Sequence, residues 1–527
     1  MPNTLDTTVW QAPTSDDPSL STFISTGDIA AMWLRDSQNQ VVPYLRYARR
    51  EPDGIGALLR GLITRHVESV LLDPYANSFS FSPQDMACNP SAWLQDNTTK
   101  IDPATGARVN AMSVGVFERK WEMDSLSSVL RLGRLYHEAT DDVTPFGARW
   151  REAVGVIVAT FREMQRPLTA ANYTRCNYTF STLTREPKDT SPHGIGRAHR
   201  WTGMVRTAFL PSDDSPRLPY HVPGNAMAVV ELRGVAILLR TTACTDGSGA
   251  GGKGGAAVRA AVKGGGNHYP SAAAACTAAS TLADAAVDLA SQIDAGLQRW
   301  GVVRHGESGQ RVYAMEVDGY GNSFFGDDAN VPSLLSLPYL GYLPSSDPIY
   351  RATRLLLLDP DTNPYYYGAK YTARRGGGGQ GGGGIGGGGG NGGGGGGDGV
   401  GLLGGVGSED ASGQAGLGYV WPLSLAVRLL TLGGGNGTAR GGGSGQGGIQ
   451  GGVKGGQGGN DDDDEARAVL ATLREASGGT GLMHESFWYA DPQRYTRGWF
   501  AMANSAFAEA ILIIAETRPH LLFKAAG

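Results

Sequence analysis

Apolar residues recur at intervals of three and four along most of this chain, a pattern that predicts a series of amphipathic helices. Runs in which apolar and polar residues alternate are few and short, so strands are expected to be minor. The predicted helices are Ile55–Leu72, Glu122–Glu138, Ala148–Met164, Ala226–Leu239, Thr277–Trp300, Ser424–Leu432, Asp464–Ala476 and Trp499–Glu516.

Long polar connections rich in Pro, Asn, Asp and aromatic residues separate these helices, for example residues 73–100 and 359–371. Ordered loops of that length usually carry function. Helices joined by such loops indicate an all-α toroid or barrel, and we expect one domain over residues 1–527. A helical repeat protein is the alternative, although no fixed repeat period is visible.

Three glycine-rich segments interrupt the helical pattern, at Thr245–Gly266, Gly376–Gly416 and Gly433–Gly459. Glycine loses the most conformational entropy on folding and has no side chain to bury, so these segments are predicted to be disordered loops. A phosphate-binding loop is the alternative, but no GxxxxGK[ST] motif occurs.

Composition narrows the function classes. The chain has 527 residues and a formal net charge of −5, which argues against a nucleic-acid partner. No apolar run reaches the 18 or so residues of a membrane span, and no secretory signal is visible, so no membrane partner is expected. Four Asn-X-Thr triplets would matter only in a secreted chain, so the compartment stays open. We expect a monomer.

Cysteine and histidine usage predicts neither a disulfide framework nor a metal site. The chain has four cysteines and contains no CxxC, HExxH or clustered histidines, so no metal and no cofactor are expected. Cys244 and Cys276 flank the first glycine-rich segment. Two unrelated free thiols are the preferred interpretation there, and a disulfide is the alternative.

The stretch Phe23–Tyr44, FISTGDIAAMWLRDSQNQVVPY, combines acids, a guanidinium and aromatic residues. A helix is predicted to start at Thr26-Gly27-Asp28, which would place Asp28 and Arg35 on one face. One interpretation is a solvated surface helix with an Arg35–Asp36 pair. The other is a polar pocket wall backed by Trp33, which suits a sugar because sugars have apolar faces and a rim of hydroxyls.

Four further segments also combine acids with aromatic residues: Glu118–Ser125, Phe209–Pro223, Met315–Tyr342 and Leu482–Asn504. The second holds adjacent Asp213 and Asp214 in a proline-bracketed turn, and Asp327 and Asp328 of the third precede what is predicted to be an apolar helix. A pocket that gathers many acids is what hydrolysis of a glycosidic bond requires. One acid protonates the leaving oxygen, and another activates water or attacks the anomeric carbon.

The motifs TGDIAAMWLRDS, KWEMDS, PSDD, EVDGYGN, DDANVPSLLSLPYLGY, YVWPLSLA and MHESF…YTRGWFAMANS resemble glycoside hydrolase family 125. The resemblance runs from Pro2 to about Ile513, apart from the glycine-rich segments. It implies a metal-independent exo-α-1,6-mannosidase on an (α/α)6 barrel, acting by inversion on an α-1,6-mannose-containing glycan. The helix that precedes PNTLDTTV in the family is expected to be absent.

The resemblance also implies roles for individual residues. Glu485 matches the base, and the acid matches Asp213 or Asp214. The sequence alone does not choose between them, and Asp213 is slightly preferred. Their adjacency in one turn suits either assignment, since repulsion would raise one pKa, as a general acid requires. Leu210 stands where the family has an Arg before this turn. The remaining candidate mannose contacts are Asp28, Trp33, Arg35, Asp36, Asp124, Asp318, Asn322, Asp327, Asp328, Asn330, His484 and Arg497. A catalytically inactive glycan-binding relative on the same fold is the alternative function.

Overall fold

The computed structural model describes residues 2–82, 97–169, 176–182, 190–243, 272–306, 308–367, 404–407, 418–432 and 458–523. The helices within these ranges are α1 (Pro2–Thr7), α2 (Leu34–Val41), α3 (Ile55–Leu72), α4 (Met123–Thr140), α5 (Ala148–Met164), α6 (Val222–Ala243), α7 (Ala272–Gly296), α8 (Pro348–Leu357), α9 (Pro422–Leu430), α10 (Gly458–Ala476) and α11 (Ala501–Thr517). Single turns of 3₁₀ or π type at Val42–Tyr47, Pro192–Gly194, Leu297–Gly301 and Pro519–Leu521 extend or connect them.

Short strands lie between the helices and pair antiparallel in groups of two or three. They are β1 (Val9–Gln11), β2 (Phe23–Ile24), β3 (Met32–Trp33), β4 (Ser78–Phe79), β5 (Asn97–Ile101), β6 (Arg108–Asn110), β7 (Val116–Glu118), β8 (Thr179–Ser181), β9 (Tyr220–His221), β10 (Val302–Arg304), β11 (Arg311–Tyr313), β12 (Glu316–Val317), β13 (Ser323–Phe324), β14 (Tyr366–Tyr367), β15 (Gly405–Val406), β16 (Tyr419–Val420), β17 (Ser486–Trp488) and β18 (Asp491–Thr496). The three-stranded groups are β13-β12-β9, β16-β17-β18, β3-β4-β7 and β6-β5-β8.

Five of the helices are linked by mutual packing, and each begins just after a short strand. Helix α2 packs against α4 and α11, α4 also packs against α6, and α9 packs against α11. Helices α3, α5, α7 and α10 contact members of this group. Strand β3 leads into α2, β7 into α4, β9 into α6, β16 into α9 and β18 into α11. The loops that carry the predicted site residues therefore lie at the N-terminal ends of these helices. The fold is mainly helical, and the closed six-pair barrel stays a prediction here.

Helix α6 corrects the expectation that no segment has the composition of a membrane span. Val222–Thr242 is long and apolar enough by length and composition, with a mean hydropathy of 1.5, but 78% of it is buried. Its faces pack against α4 and α7, so its apolar residues belong to the core of the described part of the chain.

Two local predictions were wrong. Residues 26–33 do not begin a helix, because Met32 and Trp33 pair with Phe79 and Ser78 in a sheet and α2 starts only at Leu34. Asp28 and Arg35 therefore share no helix face. Residues 330–341 form turns in place of the predicted apolar helix. Pro332 and Pro338 lack the backbone N–H that a helix needs, and the buried Asp327 carboxylate accepts hydrogen bonds from the backbone of that turn.

The two ends of the described chain are joined by side-chain hydrogen bonds. The Thr4 and Ser505 hydroxyl oxygens lie 2.9 Å apart, and Ser505 Oγ donates to the Gln40 carbonyl at 3.0 Å. An Arg46–Glu516 ion pair of 2.6 Å continues this contact. Helices α1, α2 and α11 thus form one packed group, although more than 450 residues of chain separate α2 from α11.

Most of the glycine-rich segments lie outside the described residues. Where they are described, the predicted bounds were too wide: Gly405 and Val406 form β15, paired with Tyr367 and Tyr366. Val406 is fully buried, which explains why this part is ordered. Gly458 and Gly459 already belong to α10. Cys276 is disulfide-bonded, so its interpretation as a free thiol was wrong. Its proposed partner Cys244 lies outside the described residues.

Candidate active site

A cavity with an empty volume of about 420 Å³, counting its open mouth, lies where the helix N-termini converge. Seven residues predicted from the sequence line it: Trp33, Arg35, Asp36, Asp213, Asn330, Glu485 and Arg497. Thr26, Ile29, Pro211, Ser212, Trp421 and Phe500 complete the lining. The cavity is thus built from segments hundreds of residues apart.

One buried guanidinium, that of Arg35, organises a cluster of acids at the cavity wall. Arg35 Nη1 donates to Glu122 Oε2 at 2.6 Å and to Asp124 Oδ2 at 3.1 Å, and Nη2 lies 3.3 Å from Asp36 Oδ2. Burial opposes the charge of Arg35, but these carboxylates hold its pKa well above the ordinary value. The interpretation as a solvated surface pair was therefore wrong, since Arg35 and Asp36 are each only 3% exposed.

Burial also raises the pKa of all three carboxyls around Arg35. The increase is largest for Glu122, where burial acts together with Asp213 and Asp124 against the attraction of Arg35. Burial is also the main cause of the raised pKa of Asp36 and of Asp124. Burial therefore shifts these three carboxyls toward their protonated forms relative to the same acids in water.

Asp213 reaches the cavity from a tight turn in a left-handed backbone conformation, with φ +68°. Its N–H donates to the Leu210 carbonyl at 2.9 Å, and the Leu210 N–H donates to the Asp214 carbonyl at 2.7 Å. A non-glycine residue in this region is strained by about 1–3 kcal/mol, and such strain clusters at functional sites. This turn places the Asp213 carboxylate in the cavity lining. Asp214 is buried and does not line the cavity.

The pKa of Asp213 is lowered, so the raised pKa expected within the Asp213–Asp214 turn is not at Asp213. Burial alone would raise this pKa, but Lys120, a hydrogen bond from Glu122 and the charges of Arg35 and Arg497 outweigh burial. The raised pKa in this corner of the site is at Glu122 instead.

Glu485 faces the cavity from the segment between α10 and β17. Arg497 Nη1 donates to Glu485 Oε1 at 3.1 Å, and Arg497 Nε donates to Asp28 Oδ2 at 3.0 Å. Burial raises the pKa of Glu485, and Arg497 opposes that increase by charge and hydrogen bonding. Arg497 is the second cavity-lining residue with positive φ, at +48°. Asp28 lies at the exposed side of this ion pair and does not line the cavity.

Several residues predicted to contact mannose form their hydrogen bonds within the protein instead. His484 is fully buried, with Nδ1 3.0 Å from the Arg497 carbonyl and its ring stacked on Tyr495 at 3.5 Å. It therefore supports Arg497 and does not line the cavity. Asp318 accepts hydrogen bonds from the N–H groups of Tyr320 and Asn322 and from the Asn322 amide, so this pair closes its own turn.

Asp327 and Asp328 also accept hydrogen bonds from backbone N–H groups. Asp327 accepts from the N–H groups of Leu334 and Leu335 at 2.7 and 2.9 Å, and burial raises its pKa to about 8. Asp328 accepts from the N–H of Asn330 at 2.9 Å, which positions Asn330 in the cavity wall. Asp124 acts on the cavity only through Arg35, because it is absent from the lining.

The lining offers buried polar atoms that lack a hydrogen-bond partner within the described part of the chain. The donors among them include the indole N–H groups of Trp33 and Trp421 and the hydroxyl of Ser212, and the acceptors include Asp36 Oδ2 and Asp213 Oδ1. Buried polar groups are normally paired, so unpaired donors on a cavity wall indicate a polar ligand. Sequence reasoning missed Trp421, Ser212 and Phe500 as lining residues. The motif YVWPLSLA contained a signal for Trp421, since it places an aromatic residue directly before a proline-initiated helix.

Across the ranges that the structure describes, no group of three or more His, Cys, Asp or Glu side chains is arranged to hold a metal ion. The carboxylates that do meet are held by Arg35.

A family model described as metal-independent alpha-mannosidase (GH125) matches residues 1–384 and 402–512 of this chain. The chain belongs to glycoside hydrolase family 125. The resemblance seen in the sequence motifs is thereby confirmed.

Two relatives of this GH125 protein extend the match. A solved Streptococcus pneumoniae structure, from a study of metal-independent alpha mannosidases and N-linked glycans, is a non-productive complex with alpha-1,6-mannobiose. It is 30% identical, with a TM-score of 0.68, over 98% of this chain and 92% of that chain. The meiotically up-regulated gene 157 protein of Schizosaccharomyces pombe is 34% identical over 545 residues, which cover all of this chain and 83% of the relative. The GH125 assignment makes this chain an α-mannosidase at the level of the family.

Proposed function

We propose that this GH125 chain is an exo-acting α-1,6-mannosidase that inverts configuration without a metal ion, built as a single (α/α)6 catalytic domain. The observation that carries the proposal is the presence of Asp213 and Glu485 in the lining of one cavity. Two carboxyl groups flanking one sugar are the requirement of glycoside hydrolysis. The α-1,6 linkage is supported by the ligand of the Streptococcus pneumoniae relative.

Each carboxyl has one role in the proposed mechanism. Asp213 gives a proton to the glycosidic oxygen as the bond from that oxygen to C1 breaks. Glu485 takes a proton from a water molecule whose oxygen attacks C1 from the opposite face of the ring. The products are mannose of inverted anomeric configuration and the shortened glycan. Asp214 remains a structural member of the turn.

The remaining lining residues hold the terminal mannose. Asp36 accepts hydrogen bonds from sugar hydroxyls, the indole N–H groups of Trp33 and Trp421 donate to them, and the aromatic rings cover the apolar ring faces. Exo action is what the family resemblance implies, and a difference in exposure agrees with it. Arg35 and Asp36 are almost fully buried in the cavity lining, whereas the Arg497–Asp28 pair is more exposed. A site that opens on one side only would admit the end of a glycan but not its middle.

The stereochemical course tests this proposal. Proton NMR of freshly mixed enzyme and α-1,6-mannobiose should show β-mannose first, and α-mannose as the first product would refute inversion. The two carboxyl groups should lie about 6.5–9.5 Å apart in a crystal structure, leaving room for water.

Matched variants identify the acid. Asp213→Asn should lose most activity on mannobiose and least on an aryl mannoside with a good leaving group, because such a group departs without protonation. Asp214→Asn should affect both substrates equally, through stability alone. If neither wild type nor variants release mannose, the glycan-binding alternative takes the place of the enzyme.

A further inference from the structure

Asn77 lies behind the acids that surround Arg35, and every polar atom of its amide is hydrogen-bonded. Nδ2 donates to Glu118 Oε2 at 2.7 Å and to Glu122 Oε1 at 3.2 Å, and Oδ1 accepts from the Lys120 N–H at 3.1 Å. The reversed amide would set its oxygen against two carboxyl groups, so the surroundings determine this orientation. Asn77 is fully buried and is not among the cavity-lining residues, so it acts on a ligand only through other side chains.

Glu122 connects this amide to the cavity wall. Its Oε2 accepts from Arg35 Nη1 at 2.6 Å and from Ser125 Oγ at 3.0 Å, while its Oε1 accepts from Asn77. Both oxygens are therefore held, and the carboxylate cannot rotate without losing a hydrogen bond. Arg35 Nη2 lies 3.3 Å from Asp36 Oδ2, and both of these residues line the cavity. The order of contacts is thus amide, Glu122, Arg35 and Asp36.

The backbone of Asn77 supports the same wall independently of its side chain. The Asn77 carbonyl accepts from the N–H of Leu34, the first residue of α2, at 3.1 Å. The next residue, Ser78, pairs with Trp33 in the β3–β4 sheet. These contacts remain when the side chain is replaced, so substitutions at this position test the amide by itself.

The charges around this position explain why an amide occupies it. A carboxyl group would meet two acids at the distances where N–H groups now donate, and a cation would compete with Arg35 for Glu122. A neutral group with two donors satisfies both acids and leaves the charge of the site unchanged. The charged groups of this network come from β7 and the residues that follow it, from α2 and from α4: Glu118, Lys120, Glu122, Arg35, Asp36 and Asp124.

We propose that Asn77 is a positioning residue of the mannose site, whose amide holds Glu118 and Glu122 and thereby fixes Arg35 and Asp36 in the cavity wall. This inference rests on the proposed function, in which Asp36 accepts hydrogen bonds from sugar hydroxyls. Without the amide, Glu122 Oε1 loses that donor, and the carboxylate that orients Arg35 can rotate. Binding of the terminal mannose should then weaken in the ground state and in the transition state.

The main test is the pH dependence of kcat/KM in Asn77→Asp. The introduced carboxyl has nearly the size of the amide, donates to one glutamate when protonated and repels both when ionised. Its neighbouring acids should raise its pKa above the ordinary value for aspartate. The variant should therefore be closest to wild type at acidic pH, and its kcat/KM should fall by about tenfold or more as pH rises through that pKa. A profile of wild-type shape would overturn the proposal.

Asn363→Asp is the matched control for this experiment. Asn363 is also fully buried, its Nδ2 donates to the Leu357 carbonyl at 3.0 Å, and its Oδ1 accepts from the Tyr365 N–H at 3.1 Å. None of these side-chain partners is an acid, so the control should lose stability without the new alkaline loss. Rates are divided by the folded fraction from circular dichroism at each pH. An equal alkaline loss in the control would refute a specific role for Asn77.

Asn77→Ala removes the amide without adding a charge. Its kcat/KM should fall by about 10- to 150-fold, the factor that corresponds to a hydrogen bond with a charged group. The loss should be equal for α-1,6-mannobiose and an aryl α-mannoside, because both present the same terminal mannose. A loss confined to mannobiose would overturn the proposal, since Asn77 would then act on protonation of the leaving group. If Asn77→Asp does not fold, this variant decides, and a loss no larger than that of Asn363→Ala refutes positioning.

The outcomes also separate the two levels of inference. An active wild type with Asn77 variants of unchanged kinetics overturns positioning and leaves the proposed function intact. A wild type that releases no mannose overturns the proposed function itself. In that case calorimetry with mannose still tests Asn77: weaker binding in Asn77→Ala than in Asn363→Ala supports positioning, and equal binding refutes it.

Discussion

Replacement of Arg497 by glutamine should move the acidic limb of the kcat/KM profile to higher pH. The proposed base Glu485 works only when ionised, and burial already raises its pKa. Arg497 opposes that increase through its charge and a hydrogen bond of 3.1 Å to Glu485 Oε1. Without the guanidinium, burial is opposed by a hydrogen bond with Thr496 alone, so a larger share of the enzyme has a protonated base at any pH below the limb.

The structure sets the size of the effect. A hydrogen bond to a charged group contributes about 1.5–3 kcal/mol, which corresponds to roughly 10- to 150-fold in kcat/KM well below the limb. Arg497 keeps 21% of its side chain exposed and Glu485 keeps 17%, so solvent screening places the expected loss in the lower part of that range. Above the limb the variant should approach its own plateau.

Asp28→Asn provides a control of opposite sign. Asp28 competes with Glu485 for Arg497, and its charge adds to the raised pKa of Glu485. Its removal should therefore move the acidic limb to lower pH. The assay is initial-rate hydrolysis of an aryl α-mannoside over the full pH range. Limbs that move in the same direction in both variants, or do not move, would refute the assignment of Glu485 as a base controlled by Arg497.

Three further outcomes are expected. Glu509 accepts a hydrogen bond from the Tyr339 hydroxyl, and burial raises its pKa from 4.5 to about 7. The protonated carboxyl therefore stabilises the folded protein at low pH, and this contribution is lost as the pH rises from 4.5 to 7. Urea unfolding should show a decline of roughly 1–3 kcal/mol over that window in the wild type that Glu509→Gln lacks; parallel curves would contradict this. Trp33→Phe should lower kcat/KM about 2- to 10-fold through loss of one N–H donor to the sugar, with little change in Tm; a lower Tm at unchanged kcat/KM would assign Trp33 to stability alone. Exhaustive chelation should leave activity intact, and restoration of lost activity by a divalent metal would contradict metal independence.

The sequence predicted the long helices well because their apolar spacing extends over several turns. Ile55–Leu72 and Ala148–Met164 match α3 and α5 to the residue. Short elements depend on partners far along the chain. Helix α8 escaped prediction although Asp347 caps it and Pro348 opens it, because ten residues give little periodic signal. Strand β3 was predicted as helix, since only its pairing with β4 decides its conformation.

The candidate site was likewise predicted where local motifs suffice and missed where distant neighbours decide. Motif chemistry pointed to Arg35, Asp213, Glu485 and Arg497, all of which line the cavity. It could not distinguish a carboxylate that faces the ligand from one that accepts backbone N–H groups, as Asp327 does. That distinction depends on three-dimensional neighbours.

Glu122 was missed for a related reason. Asp213, whose charge contributes to the raised pKa of Glu122, lies 91 residues further along the chain, whereas repulsion within the Asp213–Asp214 turn is visible from adjacent residues. Local spacing therefore pointed to Asp213 but not to Glu122.

The contact between the two ends of the described chain has a consequence for biosynthesis. Helix α2 emerges early from the ribosome, but its neighbour α11 emerges only after residue 500. Until then Leu34 and Val41, which are fully buried in the finished fold, lack part of their cover. Closing so long a loop adds little entropy beyond a shorter one, since each doubling costs only about 0.6 kcal/mol. The slow formation of this contact matters more than its entropy, because partly folded intermediates that lack contacts distant in sequence are prone to aggregation. Substitutions that loosen the Thr4–Ser505 contact should therefore reduce the yield of folded protein during synthesis more than the stability of molecules that have already folded.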